Sequence, residues 1–594
     1  MQRWSPNQAY LLCSALVNLP QRDFPVVVCT FIDAGTSYNN NMSRIGPVTV
    51  QIVRNRVSSL MEEMDYRFYR SGYSTIVRES RDFSCVVTDQ QGRLAVAPPM
   101  FFHSPVYFHL IQRILEVYGI EGLTDGDTIV CNHPYDGNLP HLPDMALVTP
   151  VFHGSMLVAF TASIAHKADM GGAVPGSTWG QATELFQEGL LLPPVKIVKA
   201  GAPNTDLERL ITGNSRAPEL VLGDMHAQIG VIGIGSDGVK LLCDRFGADG
   251  FVDSMDEIIA ASDHRFRSAI TSLPNGEHAS EGFLDSDGVS PDPVKLHVRV
   301  QVQGGKVHCD FSGSAPQTDG PANLRLAMVE ACVFYSLIGF LDPSIPYSDA
   351  ARDVISFEFG TCSVLNPDPP APCSSYMKTC HKLVDVMLQA LEPFLPGRAI
   401  ANAGGSGGSI VVTWQNAAPG RGNQYEIFGS SYGAGKDHDG AIGVTTHLAN
   451  LYATPLEIIE SEFPCRITGY DIVPDSGGPG EWRGGLSFRR DYELLDTASV
   501  VYRADRARIA PSGLAGGQDG AKSGFLLSPG TPQEEQCPSS FRKTFAPGTR
   551  FSLQTAGGGG YGDPSERDPA ALASDLAEGY VTLDAAKAVY NTET

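Results

Sequence analysis

The chain has 594 residues, a length that predicts three or four domain-sized units and allows a large buried core. Hydrophobic residues make up 42% and charged residues 18%, which is the balance of an ordinary soluble globular protein. The formal net charge of −23 argues against a nucleic-acid-binding protein, which needs a basic face, and against an anionic membrane surface as a partner.

The 12 cysteines are scattered, and none forms a Cys-x-x-Cys pair. Most are flanked by apolar residues, so the pattern indicates reduced thiols in a cytoplasmic protein. No run of 18 apolar residues occurs, so no transmembrane helix is expected. The apolar patch at residues 24–32 contains Pro25 and follows Asp23, and it does not resemble a signal peptide.

The first part of the chain predicts an extension, a long helix and a short strand region. Residues 1–45 match no recognisable element and form an uncertain N-terminal extension. Apolar residues recur at helical spacing from 48 to 73 and predict one amphipathic helix. Residues 78–93 predict a strand, a Gln-Gly turn and a second strand that starts at Arg93, and residues 104–118 predict another helix.

Two copies of the arrangement His-x-x-Asp follow, the first from His141 to Asp144 and the second from His166 to Asp169. The stretch between them is apolar and rich in β-branched residues, with Gly154 in its middle, and it predicts a buried hairpin. A hairpin returns its end close to its start. We therefore expect the four side chains to lie near one another.

Imidazole nitrogen and carboxylate oxygen together suit Mn, Fe, Zn or Ni, so the two pairs predict a site for one divalent ion. The alternative is that each histidine only hydrogen-bonds its neighbouring carboxylate, because a single His-x-x-Asp occurs by chance in many chains. Asp82 precedes the first predicted strand and is either a partner of Arg81 or a further metal ligand. Asp89 is expected to be a turn residue.

The next part of the chain predicts a helical layer followed by strands. Residues 207–245 and 250–273 predict two or three packed helices, with Asp206 and Asp253 as N-caps. From residue 276 to 311 the hydrophobic period switches to two, which predicts a β-hairpin with one wet face.

Helices are predicted again at residues 321–341 and 378–391. Residues 467–555 are rich in predicted strands and turns, and residues 566–594 predict a tail helix. The expected fold class is therefore α+β, with mixed sheets, a helical layer and a strand-rich C-terminal part.

The elements suggest a division into five parts. These are an extension, a metal-site α/β portion with long helices, a central α+β portion, a β-rich portion and a tail helix. The predicted bounds are 1–45, 46–275, 276–465, 466–564 and 565–594.

Two glycine-rich loops raise the question of phosphate binding. Residues 404–408 lack the Gly-Lys-Ser/Thr ending of a P-loop and open no helix, and residues 557–560 lead into Tyr-Gly-Asp-Pro. Both are predicted to be turns or close-packing loops, so no nucleotide-binding residues are expected here. If ATP is used, we expect another chain to bind it.

With these residues in view, the chain resembles the hydantoinase B/oxoprolinase family from Pro47 to Pro564. That family includes B-type subunits of N-methylhydantoinase, the C-terminal portion of 5-oxoprolinase and related subunits of acetone and acetophenone carboxylases. The segments that carry the resemblance are RDFSC at 81–85, NHPY at 132–135, HLPD at 141–144, AH at 165–166, ADMGG at 168–172, PGS at 175–177, QEG at 187–189, PPVK at 193–196, PDSGG at 474–478, RGG at 483–485 and GGGGYGDP at 557–564.

The resemblance implies a B-type subunit of an ATP-dependent cyclic-amide hydrolase. An A-type ATP-binding subunit would phosphorylate the oxygen of a small cyclic amide, and metal-assisted ring opening would be completed on this chain. The metal ligands expected from the motifs are Asp82, His141, Asp144 and His166, for Mn, Zn or Fe. The expected catalytic residues are Asp169, as an outer-sphere or proton acceptor, and Glu188.

The chain departs from the family pattern at three places. His133 stands where the family usually has Asp, and Leu139-Pro140 replaces Gly-Gly before the first histidine. Residues 378–382 read Lys-Thr-Cys-His-Lys instead of Glu-Thr-Ser-Gln-Arg. Two other functions therefore stay open, a subunit of an ATP-dependent ketone carboxylase and a catalytically reduced scaffold that binds the A-type subunit.

Overall fold

The computed structural model describes residues 45–405, 408–415 and 423–590. The predicted N-terminal extension, apart from its last residue, lies outside this part of the chain. The described residues form five β-sheets together with helices, which confirms the expected α+β class. Among the described helices, none is long and apolar enough to cross a membrane.

Six antiparallel strands form the first sheet. They are β1 (Phe83–Asp89), β2 (Thr128–Cys131), β3 (Asp144–His153), β4 (Met156–His166), β5 (Val195–Lys199) and β6 (Ala202–Pro203). Their order across the sheet is β1-β4-β3-β2-β5-β6. Nearly all residues of β1 to β4 are buried, so both faces of the sheet are covered, and their sequences are apolar runs.

The turn after β1 differs in part from the prediction. Asp89 Oδ1 accepts hydrogen bonds from two backbone amides of its own turn, at 2.9 and 2.7 Å, which confirms its turn role. The predicted second strand at Arg93 is wrong, because only a single bridge joins Thr88 to Leu94. The Leu94 amide instead donates to the carboxylate of Asp349 at 3.0 Å, which draws this segment away from the sheet.

Five helices accompany the first sheet. They are α1 (Pro47–Ser71), α2 (Ser104–Tyr118), α3 (Thr205–Gly213), α4 (Pro218–Phe246) and α5 (Ala248–Thr271). Helices α1, α4 and α5 pack on one another and on the sheet, which confirms the helical layer. Both predicted N-caps are wrong. Asn204 rather than Asp206 caps α3, by accepting a hydrogen bond from the Leu207 amide at 3.3 Å, and Asp253 lies inside α5.

A second sheet and two helices follow. The strands are β7 (Gly276–Leu284), β8 (Val294–Gln303), β9 (Lys306–Asp310) and β10 (Ile355–Glu358), in the order β10-β9-β8-β7, and the helices are α6 (Leu326–Leu341) and α7 (Tyr376–Leu391). Buried and more exposed residues alternate along β8, as its period of two predicts. Helix α6 begins later than residue 321 because the Asn323 amide donates to three loop carbonyls and holds that segment as a loop.

The C-terminal part is rich in strands, as expected. Its elements are β11 (Ser409–Trp414), β12 (Asn423–Ile427), β13 (Ser430–Ser431), β14 (Ile442–Val444), α8 (Leu456–Glu462), β15 (Cys465–Ile472), β16 (Phe488–Leu494), β17 (Ala498–Arg503), β18 (Gly524–Leu527), β19 (Glu535–Gln536), β20 (Ser540–Phe545), β21 (Arg550–Gln554), α9 (Pro569–Ala577) and α10 (Leu583–Val589). The sheets have the orders β12-β11-β17-β20, β13-β14 and β15-β16-β21-β18-β19. The predicted single tail helix is two helices, because a turn with Gly579 at φ 72° separates them.

Apolar side chains of the described residues gather in four clusters, of which a large core and a C-terminal core are the two largest. The large core runs from Val53 to Ala449, and therefore crosses the predicted boundary near residue 275. The second core runs from Ile410 to Leu553 and joins the strands of the C-terminal sheets. The five-part division of the chain stays a prediction.

The glycines at 557–560, here called the glycine hub, lie against backbone of other loops. A Cβ atom on any of them would come within 1.9 to 2.2 Å of a carbonyl oxygen. Those oxygens belong to Ser476, Tyr432, Ser512 and Pro479. Since no side chain fits there, the prediction of a close-packing loop is confirmed.

Replacing Gly558 by Ala tests this packing. The new methyl would meet the Tyr432 carbonyl oxygen at 2.0 Å. We therefore expect the free energy of unfolding to fall by about 1–3 kcal/mol and the Tm to fall with it. Gly233→Ala is the matched control, because its Cβ position in α4 meets no atom within 4 Å. That change should leave Tm unchanged or raise it, since Ala favours a helix interior by about 0.5–1 kcal/mol over Gly. Equal melting temperatures for the two variants would contradict the close packing.

Candidate metal centre

The β3–β4 hairpin brings the two His-x-x-Asp segments together. Strand β3 begins at Asp144 and β4 ends at His166, and these two residues face each other in the register of the ladder. The turn between the strands contains Gly154 at φ 63°, a left-handed conformation that glycine adopts without strain. The predicted return of the hairpin is confirmed.

His141 completes a group of three with Asp144 and His166. His141 Nε2 lies 3.2 Å from Asp144 Oδ1, and His166 Nδ1 lies 3.3 Å from the same oxygen. One ligand atom from each of the three residues lies within 4.8 Å of the others. His141 is held by a tight turn, in which the Asp144 amide donates to the His141 carbonyl at 3.2 Å. The three side chains therefore have the spacing to bind one ion.

The imidazoles of this group have nitrogens that are buried without a hydrogen-bond partner. Three nitrogens, Nδ1 and Nε2 of His141 and Nε2 of His166, have no such partner among the described residues. The 3.2 Å contact from His141 Nε2 to Asp144 lacks the angles of a hydrogen bond, so the nitrogen counts as unpaired. A buried polar atom without a partner costs about 1–3 kcal/mol, whereas a cation would use the lone pairs. The residues present therefore fit a divalent metal ion.

Asp82 lies beside the group, directly before the edge strand β1, which pairs with β4. Its backbone carbonyl accepts a hydrogen bond from the His166 amide at 3.0 Å, and its Oδ2 lies 3.7 Å from His166 Nδ1. Arg81 just before it has φ 52°, and its guanidinium stacks on the rings of Tyr69 and Tyr452 instead of pairing with Asp82. The structure thus does not pair Asp82 with Arg81, and its role as a metal ligand stays a prediction.

Two carboxylates lie beside two imidazoles in this group, and a divalent cation would balance the negative charge of the carboxylates. Burial raises the pKa of Asp82 to about 7, and the neighbouring Asp144 raises it as well. Burial also opposes ionisation of Asp144, but the adjacent His141 and His166 hold its pKa below the usual range. A bound cation would lower both pKa values, because it is the largest charge in such a site.

Two residues that the sequence patterns did not point to also contact Asp144. Tyr376, at the start of α7, donates its hydroxyl to Asp144 Oδ2 at 3.4 Å, and its ring lies 4.9 Å from that of His141. His103 Nε2 lies 4.0 Å from the same oxygen, and burial lowers the pKa of His103 to about 4. His103 directly precedes a predicted helix, which was the only local signal. Tyr376 is 232 positions from Asp144 and gave none.

A small cavity of about 60 Å³ adjoins the group and is lined by Asp82, His141 and His166. A wider groove of about 1090 Å³ lies next to it. The two share the lining residues Ser286, Ser539 and Ser540. The groove therefore adjoins the small cavity beside His141 and His166.

Asp169 lies in the loop after β4 and binds that loop instead of the histidines. Its oxygens accept hydrogen bonds from the amides of Gly171 at 2.9 Å, Gly176 at 2.8 Å and Arg216 at 3.0 Å. The Arg216 guanidinium also donates to Asp169 Oδ2 at 3.2 Å. No hydrogen bond in the described structure joins Asp169 to His141 or His166, so its contacts support a loop-holding role rather than the expected acceptor role.

Glu188 is buried next to the segment that leads into α7. Its Oε1 accepts hydrogen bonds from the amides of Cys373 at 2.9 Å and Ser374 at 2.7 Å, while Oε2 has no partner among the described residues. Burial raises the pKa of Glu188 to about 7. Ser374 lines the cavity, so Glu188 fixes one part of its wall.

His133, at a position where the resemblance leads us to expect an aspartate, fills a structural role in its turn. Its Nδ1 accepts hydrogen bonds from the backbone amides of Tyr135 and Asp136, each at 3.1 Å. An aspartate side chain makes the same two-residue turn with a carboxylate oxygen. The substitution therefore keeps the turn and does not bring a further imidazole to the metal ligands.

The fold and the family comparison together define the class of protein to which this chain belongs. The family model for hydantoinase B/oxoprolinase matches residues 46–564, so the chain belongs to that family. One relative, the B-type subunit of a putative D-/L-hydantoinase from Pseudomonas sp. (strain NS671), is 32% identical over 93% of this chain and 96% of its own length.

Two solved structures are similar to the chain. The ATP-dependent caprolactamase from Pseudomonas jessenii aligns with a TM-score of 0.84 and 27% identity, over 92% of this chain and 96% of that one. The nucleotide-free acetone carboxylase aligns with a TM-score of 0.81 and 18% identity, over 92% of this chain and 79% of that one. At that identity the second likeness extends to the fold alone.

Removal of both histidines of the group tests metal binding. We expect the purified wild-type chain to carry a divalent metal, and His141→Ala with His166→Ala to lose it, because two of the three nitrogen and oxygen ligands disappear. Elemental analysis measures the content. His153→Ala with His308→Ala is the control, since both histidines lie away from the group and pair with carboxylates of their own. Equal metal content in both double variants would reject the ligand assignment.

Glu188 predicts a pH dependence of stability. The pKa of Glu188 in the folded state, about 7, lies above the ordinary value of 4.5. The stability that this side chain contributes to the fold is therefore present below pH 4.5 and is lost as the pH rises through 7. The free energy of unfolding of the wild type should therefore fall by up to about 3 kcal/mol, relative to that of Glu188→Gln, as the pH rises from 4.5 to 7. Melting curves from pH 5 to 8 measure the difference. Glu184 is exposed, so the Tm of Glu184→Gln should change with pH as the Tm of the wild type does. The same change with pH in Glu188→Gln would contradict a buried neutral carboxyl at Glu188.

Proposed function

We propose that this chain is the B-type subunit of an ATP-dependent cyclic-amide hydrolase. The observation that supports it most directly is the buried group of His141, Asp144 and His166, with imidazole nitrogens left without partners. Membership of the family and the likeness to a hydantoinase and a caprolactamase support the reaction class. The hydantoinase relative is named as one subunit of an enzyme, which supports an A-type partner for this chain.

The chemistry follows from the stability of the amide bond. Resonance makes the C–N bond of a lactam or hydantoin resistant to water, and phosphorylation of the amide oxygen by the A-type subunit would create a better leaving group. His141, Asp144 and His166 would hold a divalent Mn, Zn or Fe ion, with Asp82 as a fourth ligand. Such an ion supplies Lewis-acid polarisation of a substrate oxygen.

Residues of the chain itself orient the ligands and exclude water. The hydroxyl of Tyr376 fixes one oxygen of Asp144, while the ring of Tyr425 stacks on His166 with centroids 4.7 Å apart. The three ligands are each at most 2% exposed, so bulk water does not compete for them. Glu188 remains a candidate proton acceptor because its Oε2 is unpaired among the described residues.

ATP is proposed to bind to the partner subunit. The glycine hub is filled by backbone carbonyls of neighbouring loops, so it offers no cradle for a phosphate. The same holds at Gly404, whose Cβ position lies 2.1 Å from Ser430 Oγ and 2.4 Å from the Ala556 carbonyl. Neither the glycine hub nor Gly404 therefore offers room for a phosphate.

Turnover with the A-type subunit tests the proposal. With ATP and the partner supplied, we expect ring opening of 5-oxoproline, a hydantoin or caprolactam, with ADP formed in step with product. Asp144→Asn should abolish ring opening, because a neutral amide replaces the oxygen shared by both histidines.

Other products would indicate the other functions. Label from bicarbonate appearing in a ketone substrate would indicate a carboxylase, which the fold of acetone carboxylase allows but does not favour. Binding of the A-type subunit without either product would indicate a scaffold.

A further inference from the structure

Two basic side chains line the cavity beside the metal ligands. Lys378 lies on α7 and Arg503 is the last residue of β17, and both are half-buried. Lys378 Nζ donates to the Ser286 carbonyl at 2.9 Å. Arg503 donates through Nε to Ser409 Oγ at 2.9 Å and through Nη1 to the Ser374 carbonyl. An ammonium has three N–H groups and a guanidinium has five, so both cations keep donors for a ligand.

These two cations lack a carboxylate partner. In the described part of the chain, neither forms an ion pair, and their hydrogen bonds go to uncharged oxygens. The buried Arg506, in contrast, pairs with Asp385 at 2.8 Å. Burial lowers the pKa of Lys378, Asp505 and other carboxylates at longer range oppose the effect, and Arg503 lowers it further. An anion bound between Lys378 and Arg503 would offset the repulsion between them.

The sheet places Arg503 close to a metal ligand. In the ladders, Arg503 pairs with Ser409 on β11, and Ser409 pairs with Ile427 on β12. Tyr425 precedes Ile427 by two positions, so its side chain lies on the same face of the sheet. The ring of Tyr425 stacks on His166 with centroids 4.7 Å apart. The aromatic ring that covers His166 thus stands on the same face of the sheet as Arg503.

Both cations lie where the small cavity meets the wide groove. Ser286, whose carbonyl accepts the hydrogen bond from Lys378, lines the cavity and the groove. Ser540, which pairs with Arg503 in the β17–β20 ladder, also lines both. A substrate with its amide beside the metal ligands and its remaining atoms in the groove would therefore pass the two cations.

The charges of the groove favour an anionic substrate. Its charged lining residues are four basic ones and one acidic one, namely Arg489, Arg508, Lys522, Arg550 and Asp491. Arg508 donates to the backbone carbonyls of Asp285 and Pro291. The whole chain has a net charge of −23, so this basic lining differs from the rest of the protein. A cleft lined by one sign of charge raises the local concentration of the opposite ion.

The position of Lys378 also separates two kinds of anion. The resemblance leads us to expect Glu at this position, so the charge is reversed in this chain. The phosphoryl group of an activated amide would be common to all members that work through one, and a glutamate would repel it. A cation required for that group would therefore belong to the family pattern. The reversed charge points instead to a group on the substrate of this chain.

We propose that Lys378 and Arg503 bind a carboxylate on the substrate, so that this chain selects cyclic amides with a negatively charged substituent over neutral ones. This inference rests on the proposed function and names the substrate class of the same site. A carboxylate accepts hydrogen bonds from both cations at once, and such charge-assisted bonds are stronger than neutral ones. The two residues determine specificity and take no part in bond breaking.

Matched substrates test the proposal. 5-Oxoproline and 5-oxoprolinamide share one lactam ring and differ in the charge of one substituent, and 6-oxopipecolate with its amide extends the test to a larger ring. With the A-type subunit and ATP, wild type should have a kcat/KM about tenfold or more higher for the carboxylate of a pair. Lys378→Gln with Arg503→Gln should lower kcat/KM for the carboxylates about 10–100-fold, mainly through KM, and leave that for the amides unchanged.

Other variants separate recognition from folding. Lys378→Arg should keep the preference, and Lys378→Glu should remove it. Lys295→Gln with Arg299→Gln, on β8 and outside the cavity and the groove, should behave as wild type. Equal losses for the carboxylate and the amide would indicate contact with the phosphoryl group or a damaged fold, and would overturn the proposal. Equal kcat/KM values of wild type for both members of each pair would overturn it too.

Binding to the chain alone separates this inference from the proposed function. By calorimetry, metal-loaded wild type without the A-type subunit or ATP should bind 5-oxoproline more tightly than 5-oxoprolinamide, and Lys378→Gln with Arg503→Gln should lose the difference. If wild type shows this preference but opens no cyclic amide with its partner, the proposed function fails and the carboxylate site stands. If wild type opens cyclic amides without a charge preference in turnover or binding, only this inference fails.

Discussion

The pairing of Asp144 with His166 across the β3–β4 ladder is the contact on which the site depends. It lets one carboxylate oxygen lie 3.2 Å from His141 and 3.3 Å from His166 without any movement of the sheet. A slip by one residue would turn both side chains to the opposite face of the sheet. The register is secured by burial of both strands on both faces, so the apolar run between the motifs positions the ligands.

Electrostatics explains why the rest of the chain surrounds this group as it does. Buried charges need partners, and each buried carboxylate near the site has a different one. Asp169 has Arg216, Asp385 has Arg506 and His447, and Glu188 has two amides. Among the described residues, Asp144 and Asp82 form ion pairs with imidazoles but with no Lys or Arg, which leaves these two as the pair that a cation would complete.

Much of this site could be predicted because its parts are close in sequence. The hairpin, its glycine turn and the two His-x-x-Asp motifs lie within residues 141–169, and local periodicity was enough to bring three of the four side chains together. The fourth, Asp169, could not be placed, because its partner Arg216 is 47 positions away.

Long-range contacts account for the other differences from the sequence predictions. Tyr376 reaches Asp144 across 232 positions, and Leu94 is drawn to Asp349 across 255, so no local pattern indicates either contact. The start of α6 was misplaced for a related reason, since the Asn323 side chain competes with the helix for backbone carbonyls. Periodicity predicted the helices and strands, while side-chain hydrogen bonds between distant segments decided their ends.

The glycine hub has a consequence for the order in which the polypeptide matures. Gly558 donates to the Gly485 carbonyl at 2.8 Å and Gly559 to the Asn402 carbonyl at 2.9 Å, so one late segment joins loops made much earlier. During synthesis those earlier loops must wait with unfilled backbone groups until residues 557–560 leave the ribosome. Tyr425 and Arg503, which line the cavity, lie on β12 and β17 of the sheet that β20 completes, so this part of the cavity wall also needs residues that are made late.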